Sequence, residues 1–147
     1  MNVVDKDLGW KRIMNSIQAL NGKEIKAGVL ESAGNESNGQ SIAQVAIWNE
    51  YGTKKIPSRP FVAIATDESK GWMSKTETEI SKIMSNRASV DGSLDAIGNK
   101  MKTDIQKVIG DKGKLAPNAP STIRRKGHDK PLIDTGKLKE AINFEVK

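Results

Sequence analysis

The sequence has no cysteine, which excludes disulfides, thiolate metal sites and cysteine nucleophiles. It has one histidine, His128, so multi-histidine metal sites are excluded too, and a histidine-activated nucleophile would need a second group to orient that single ring. His128 sits in a basic loop segment and reads as an ordinary exposed side chain. Aromatic residues make up only 4% of the chain. The core must therefore be built from Ile, Val, Leu, Met and Ala, and there is little surface for stacking a sugar. No apolar run approaches the ~20 residues of a membrane helix. The opening stretch, MNVVDKDLGWKR, lacks the apolar segment of an export signal, so a soluble, non-exported chain without membrane partners is expected. No GxxxxGK[ST] is present, nor a GxGxxG following a strand. The acidic residues are interspersed with lysines, as in Lys75-Thr76-Glu77 and Lys139-Glu140, which is the pattern of a solvated helix face. Neither an enzyme nor a bound cofactor or metal is expected.

What is present fits one domain over residues 1–147. The net charge is +6. Much of the excess lies between Asp111 and Lys130, where Lys112, Lys114, Arg124, Arg125, Lys126 and Lys130 outnumber Asp111 and Asp129. A solvated basic loop is the plain reading. The sharper one makes Arg124, Arg125, Lys126 and Lys130 contacts to a polyanion, with DNA the obvious candidate. The segment lacks interleaved aromatics and a basic recognition helix, so a DNA-binding accessory protein stands only as an alternative.

Residues 7–21 place Trp10, Ile13, Met14, Ile17 and Leu20 at helical spacing, and Asn21-Gly22 ends the helix. Residues 23–30 alternate, with Ile25, Ala27 and Val29 on one face, as in a half-buried strand. The Gly/Asn/Ser-rich stretch 31–41 reads as a flexible loop or hairpin tip. A short helix over 42–51 carries Ile42, Val45, Ala46 and Asn49 on one side, and Gly52 ends it. Ile56 to Pro60 is an extended connector, since each proline biases the preceding residue away from helix. Residues 61–87 read as one long helix with Phe61, Ala65, Trp72, Ile80 and Ile83 near one face, and Gly71 as the place for a kink or a break. Leu94, Ile97, Met101, Ile105 and Val108 give a regular helix over 93–109. Residues 110–131 form a long, flexible connection. A short helix follows over 134–141, with Asp134 or Thr135 as N-cap. Residues 142–147 then alternate as a strand, which must pair with 23–30 or with a neighbouring subunit. The fold class is α+β: several helices packed with a small antiparallel sheet, and long loops.

Two segments ask for more than generic folding. The first is Val45-Ala46-Ile47-Trp48-Asn49-Glu50-Tyr51-Gly52-Thr53 with Ile56-Pro57-Ser58-Arg59-Pro60-Phe61. The second is Lys130-Pro131-Leu132-Ile133-Asp134-Thr135-Gly136-Lys137-Leu138, running into the last strand. Together they resemble the tail-completion, neck and virion-morphogenesis proteins of long-tailed bacteriophages. That group carries an N/H-E-Y/F-G-T turn, then I-P-x-R-P-F, and separately a P-L-x-D-T-G-x-L turn before a final strand. The stretch Ala116 to Arg125 is also similar to what precedes the second motif there. In some branches of the group the two motifs come in the opposite order.

The resemblance implies a virion structural protein at the head–tail interface. It would form a homo-oligomeric ring, typically six-fold, around the DNA channel and contact the head connector and tail-tube or terminator proteins. A tail terminator or other tail component is the nearest alternative. Residue chemistry suggests how the motifs work. Gly52 supplies a positive φ, and Pro57 and Pro60 stiffen the connector. Phe61 anchors the following helix, Thr135 and Gly136 favour a tight helix start, and Leu138 packs it. Arg59 can bind a carboxylate or backbone carbonyls, and an ion pair with Glu50, within or between subunits, is expected. On that expectation Arg59→Ala leaves the monomer folded and weakens assembly.

Overall fold

A computed structural model describes residues 6–147. Residues 1–5, which open the stretch without an export signal and complete the 1–147 domain span, lie outside the described residues. The arrangement is α+β. In chain order it runs α1 (Trp10–Leu20), β1 (Ile25–Val29), a 3₁₀ turn, α2 (Ile42–Tyr51), α3 (Phe61–Asp67), α4 (Lys70–Met84), α5 (Val90–Val108), α6 (Pro120–Lys126), α7 (Lys137–Glu140) and β2 (Ile142–Val146). No helix among the described residues is long and apolar enough to cross a membrane.

The two strands pair antiparallel, with Ile25 opposite Val146, Ala27 opposite Phe144 and Val29 opposite Ile142. The last strand thus finds its partner within the chain. Strand alternation puts those six apolar residues on one face, and α5 packs against the sheet. Ser89 caps α5, its hydroxyl accepting from Gly92 N–H at 3.1 Å. Of the expected stripe, Leu94, Ile97, Ile105 and Val108 are buried and Met101 is half-buried. Gly98 lies on the same side, where an added Cβ would overlap the Phe144 ring. A glycine mid-helix costs about 1 kcal/mol against alanine; here it lets helix and strand approach closely. The core continues through Ile42 and Ala46 of α2, Phe61 and Ala65 of α3, then Ile109, Leu115, Leu138 and Ile142.

α1 is tied on by a charged side chain more than by its apolar stripe. None of its residues is fully buried, and Trp10 is 67% exposed. Asp7 accepts from the N–H groups of Gly9 (2.9 Å) and Trp10 (2.6 Å), satisfying donors at the helix start. The Arg12 guanidinium donates to the carbonyls of Ile83 (3.1 Å) and Met84 (2.8 Å), at the C-terminal end of α4 where carbonyls lack helical partners.

The long helix expected over 61–87, with a kink or break at Gly71, is two helices. The break falls at Glu68–Ser69, and Gly71 sits inside the first turn of α4. Ser69 N–H bonds to Thr66 C=O (3.0 Å) and Trp72 N–H to Ser69 C=O (2.7 Å), a tightened turn that re-aims the chain. The new direction brings the Trp72 indole N–H within 2.8 Å of Asp104 on α5. Each helix has its own buried side, which is why Ile83 is buried and Ile80 is 42% exposed.

The two long connections carry structure. Residues 31–41 hold the 3₁₀ turn Glu31–Ala33 and a hairpin tip closed by an Asn35–Ser41 bridge. Residues 110–131 contain α6, ended by Gly127 in the left-handed conformation, and bury Leu115 and Pro131. α7 starts later than expected. Its N-cap is Gly136, at φ 88°, rather than Asp134 or Thr135, because the chain must reverse into the helix where a side chain would be strained.

The interior holds one carboxylate among these elements that sequence pattern did not single out. Glu79 on α4 is 3% exposed. It accepts from the ammonium groups of Lys75 and Lys82, both at 2.8 Å, and from the Ser93 hydroxyl of α5 at 3.2 Å. Those lysine bonds, against the opposing effect of burial, hold its pKa at about 2, below the usual 4.5. A depressed carboxylate pKa stabilises the fold above the unfolded-state value, and that stability is lost as pH falls toward the folded one. Urea midpoints are therefore expected to drop between pH 4.5 and about 2, and Glu79→Gln is expected to flatten that slope. Gly98→Ala, which forces a methyl group into the Phe144 ring, is expected to destabilise by about 1–3 kcal/mol in chemical denaturation.

Candidate functional site

The first motif folds into a compact joint between α2 and α3. Gly52 closes α2 at φ 76°, and a Cβ there would lie 2.9 Å from Ser58 N and 3.0 Å from Ile56 O. Both contacts are backbone, so only glycine fits without displacement. The Thr53 hydroxyl accepts from Ile56 N–H (3.0 Å), while Thr53 N–H donates to Ile56 C=O (2.8 Å). The Ser58 hydroxyl donates to Glu50 C=O (2.8 Å), and Arg59 N–H to Asn49 C=O (2.6 Å). Asn49 turns its amide back onto Val45 C=O (2.8 Å). Phe61 is fully buried, as expected of an anchor.

Glu50 and Arg59 are the corrections. Among the described residues neither belongs to an ion pair. The Glu50 carboxylate accepts from Val62 N–H (3.0 Å) and Ala63 N–H (2.9 Å), two first-turn donors of α3. It acts as a cap delivered from the preceding helix, with its negative charge at the positive end of the helix dipole. Pro60, at the N-cap position, has no side-chain oxygen to do this. Arg59 is buried at 8% exposure. Its Nε donates to Ala116 C=O (2.8 Å) and its Nη2 to Pro117 C=O (2.9 Å). Burial lowers its pKa. The guanidinium is an internal staple between the first motif and the segment leading to α6, so Arg59→Ala is expected to lower the stability of the monomer itself.

The second motif packs beside it. Pro131 and Leu138 are buried. Leu132 adopts φ 63°, uncommon for a bulky residue and a sign of local strain. The Lys126 ammonium donates to Ile133 C=O (2.8 Å). Its burial lowers the lysine pKa, an effect Asp134 opposes and Arg125 and Arg59 reinforce. Arg125 lies 3.0 Å from the Asp134 carboxylate. The Thr135 hydroxyl accepts from Lys137 N–H at 3.3 Å.

The two motifs, far apart in sequence, share the walls of one open groove of about 930 Å³. Asn49, Pro57 and Arg59 line it from the first, and Leu132, Asp134, Thr135, Gly136 and Leu138 from the second. The hairpin tip at Glu36–Gln40 and the α6 residues Thr122, Arg125 and Lys126 complete it. Glu50, Tyr51, Gly52, Thr53, Pro60 and Phe61 do not line the groove; apart from Tyr51, which is 79% exposed, they shape the joint beneath it. Of the four basic residues marked as polyanion contacts, Arg125 and Lys126 face the groove with partners of their own chain, while Arg124 and Lys130 are exposed outside it. Sequence reasoning missed Lys55 and Asn118. Asn118 is 8% exposed and sits next to the carbonyls that Arg59 binds, and its burial comes from that tertiary contact, which no local sequence signal marks.

The groove offers hydrogen-bond donors, a few charges and apolar patches. Among the described residues no group of three or more His, Asp or Glu side chains converges as metal ligands. His128 uses its Nδ1 to accept from Lys130 N–H at 3.3 Å, a local turn contact. Comparison of this chain with families of known proteins, with curated proteins and with solved structures finds no match.

Removing Glu50 leaves two helix donors uncapped, so Glu50→Ala is expected to cost about 1–2 kcal/mol of stability. Arg59→Ala strands two carbonyls near the core, and a cost of about 1–3 kcal/mol is expected. Arg59→Lys should recover only part of it, because one ammonium cannot reproduce the two-pronged geometry. Urea denaturation followed by circular dichroism measures all three.

Proposed function

We propose that the protein is a non-enzymatic structural subunit of a bacteriophage particle, of the tail-completion or neck type. It would join head to tail as one member of a homo-oligomeric ring around the DNA channel. The observation that carries the reading is the meeting of both motif segments at one groove. Polar groups of the first motif and of α6 shape the walls: Glu50 caps α3, Arg59 staples the 116–117 carbonyls, and Lys126 holds Ile133 of the second motif. Such a groove suits recognition of a protein segment, with backbone and side-chain donors fixing its orientation.

The mechanism is binding. A subunit presents the groove to a connector or tail protein and other faces to its ring neighbours. The exposed lysine and arginine side chains around the groove favour an acidic partner segment.

Light scattering coupled to gel filtration tests this, first on the chain alone and then with the connector and tail-tube proteins of the same phage. A shift from a small species to a large defined complex only in the mixture is expected. Lys55→Glu, on the exposed lip of the groove, should weaken that complex while changing stability by no more than about 0.5 kcal/mol. A chain that ignores both partners and instead retains nucleic acid would overturn the neck reading in favour of DNA binding. That alternative predicts affinity falling with salt by roughly 0.9 log unit per contacted phosphate per log unit of salt.

A further inference from the structure

Among the described residues, backbone is left unpaired at both margins of the sheet. Glu24 and Lys147 exchange both of their backbone hydrogen bonds, each 2.9 Å long. In an antiparallel ladder such pairs alternate with pairs whose N–H and C=O groups point away from each other. The register then makes Lys26–Glu145 and Gly28–Asn143 the hydrogen-bonded pairs. Ile25, Ala27 and Val29 consequently aim their backbone groups out of the β1 margin, and Ile142, Phe144 and Val146 out of the β2 margin. No third strand joins the sheet among the described residues, and none of their hydrogen bonds occupies the amides of Ile25, Ala27, Phe144 or Val146.

From this geometry we infer that the two margins pair with each other between copies, β1 of one subunit lying antiparallel beside β2 of the next. Directions agree: the strands run antiparallel within a chain, and a head-to-tail repeat of that chain preserves the alternation. The hydrogen-bonding phase agrees as well. The residues that face outward on β1 are those opposite the outward-facing residues of β2, so repeating the internal register forms about four new backbone bonds, from the Ile25–Val146 and Ala27–Phe144 pairs, while the fully buried Ile142 takes no part. Charge agrees too. On the solvent face, Lys26 stands opposite Glu145 and Glu24 opposite Lys147. Across the boundary the same opposite-charge pairs recur, now at the closer spacing of non-hydrogen-bonded positions. At present Lys26 pairs along its own strand with Glu24 (3.6 Å) and Lys147 with Glu145 (3.0 Å), so both lysines stand within reach of a partner across the margin.

Charges on an exposed edge often guard it against pairing. A guard works by repelling its own kind, whereas these two edges complement each other. A foreign strand would need to carry the matching alternation; a second copy already has it. The contact is heterologous, and it closes into a ring when the rotation per subunit divides a full turn. The inference rests on the ring-subunit reading for its second copy and adds the surfaces that meet.

Because the chain has no native cysteine, disulfide trapping is free of background. Two proteins, Lys26→Cys and Glu145→Cys, are mixed under the conditions in which the wild type assembles and are then oxidised. Directly opposed non-hydrogen-bonded residues have Cα separations of about 4.5 Å, within disulfide range. A crosslinked heterodimer that neither protein forms alone is expected. It should be lost when Ala27→Pro is added to the Lys26→Cys chain, since proline removes an outward N–H and leaves the internal ladder intact. Circular dichroism of Ala27→Pro verifies the fold. If that variant unfolds, Val146→Pro in the Glu145→Cys chain blocks the opposite margin in its place. Wild-type assembly without the 26–145 crosslink, or a crosslink indifferent to the proline, overturns the edge pairing and leaves the ring reading standing. A crosslink formed only to a different protein overturns it in favour of a foreign strand. A wild type that stays monomeric with its partners overturns both.

Discussion

The close approach of α5 to the two-stranded sheet is the constraint on which the rest of the structure depends. Two strands cannot make an independent sheet in water; they need a packed face. With so few aromatics, that face is made of Ile, Val and Ala, and Phe144 is its single large ring. Gly98 supplies the depth that lets the ring seat against the helix backbone. Once α5 and the sheet are joined, α2, α3, α7 and the buried part of the 110–131 connection have a surface on which to assemble.

Around this spine, helix ends are satisfied mostly from outside their own helices. Asp7 serves α1, Arg12 serves the end of α4, and Glu50 serves α3. The Arg12 and Glu50 bonds each join two elements while removing orphaned backbone groups, which matters in a chain whose apolar content is modest. Glu79 does similar work in side-chain form. Two lysines of its own helix neutralise a buried charge that would otherwise be costly, and a serine of α5 adds a neutral tie to the next helix.

The legible parts of the fold were those governed by period. The stripe of α5, the alternation of both strands, the α2 face and the turn at Gly52 follow from local spacing and from what glycine permits. The parts that stayed hidden depend on partners distant in sequence. Gly71 marks the neighbourhood of the helix break, but its place at Glu68–Ser69 and the new direction, which brings Trp72 to Asp104, involve a partner distant in sequence. Opposite charges nine residues apart invite an ion pair, but within the chain Glu50 and Arg59 are each used on backbone groups instead. Gly136 displaced Asp134 and Thr135 at the α7 start because direction of the chain outweighed side-chain capping. The groove was readable as two motifs but not as a place, since only folding brings 49–59 beside 132–138.

The pairing of β1 with β2 has a consequence in time. The strands lie near opposite ends of the described chain, with on the order of a hundred residues between them, so their contact is among the most non-local in the molecule. During synthesis α5 can coil as soon as it emerges, but the sheet, and with it the seat for Phe144, must wait for residues 142–146. Until then α5 shows an uncovered apolar stripe and β1 an unpaired strand on both sides. Ribosome-bound chains should therefore pass through a vulnerable interval, and the two strand margins come into being together, in the last step of folding.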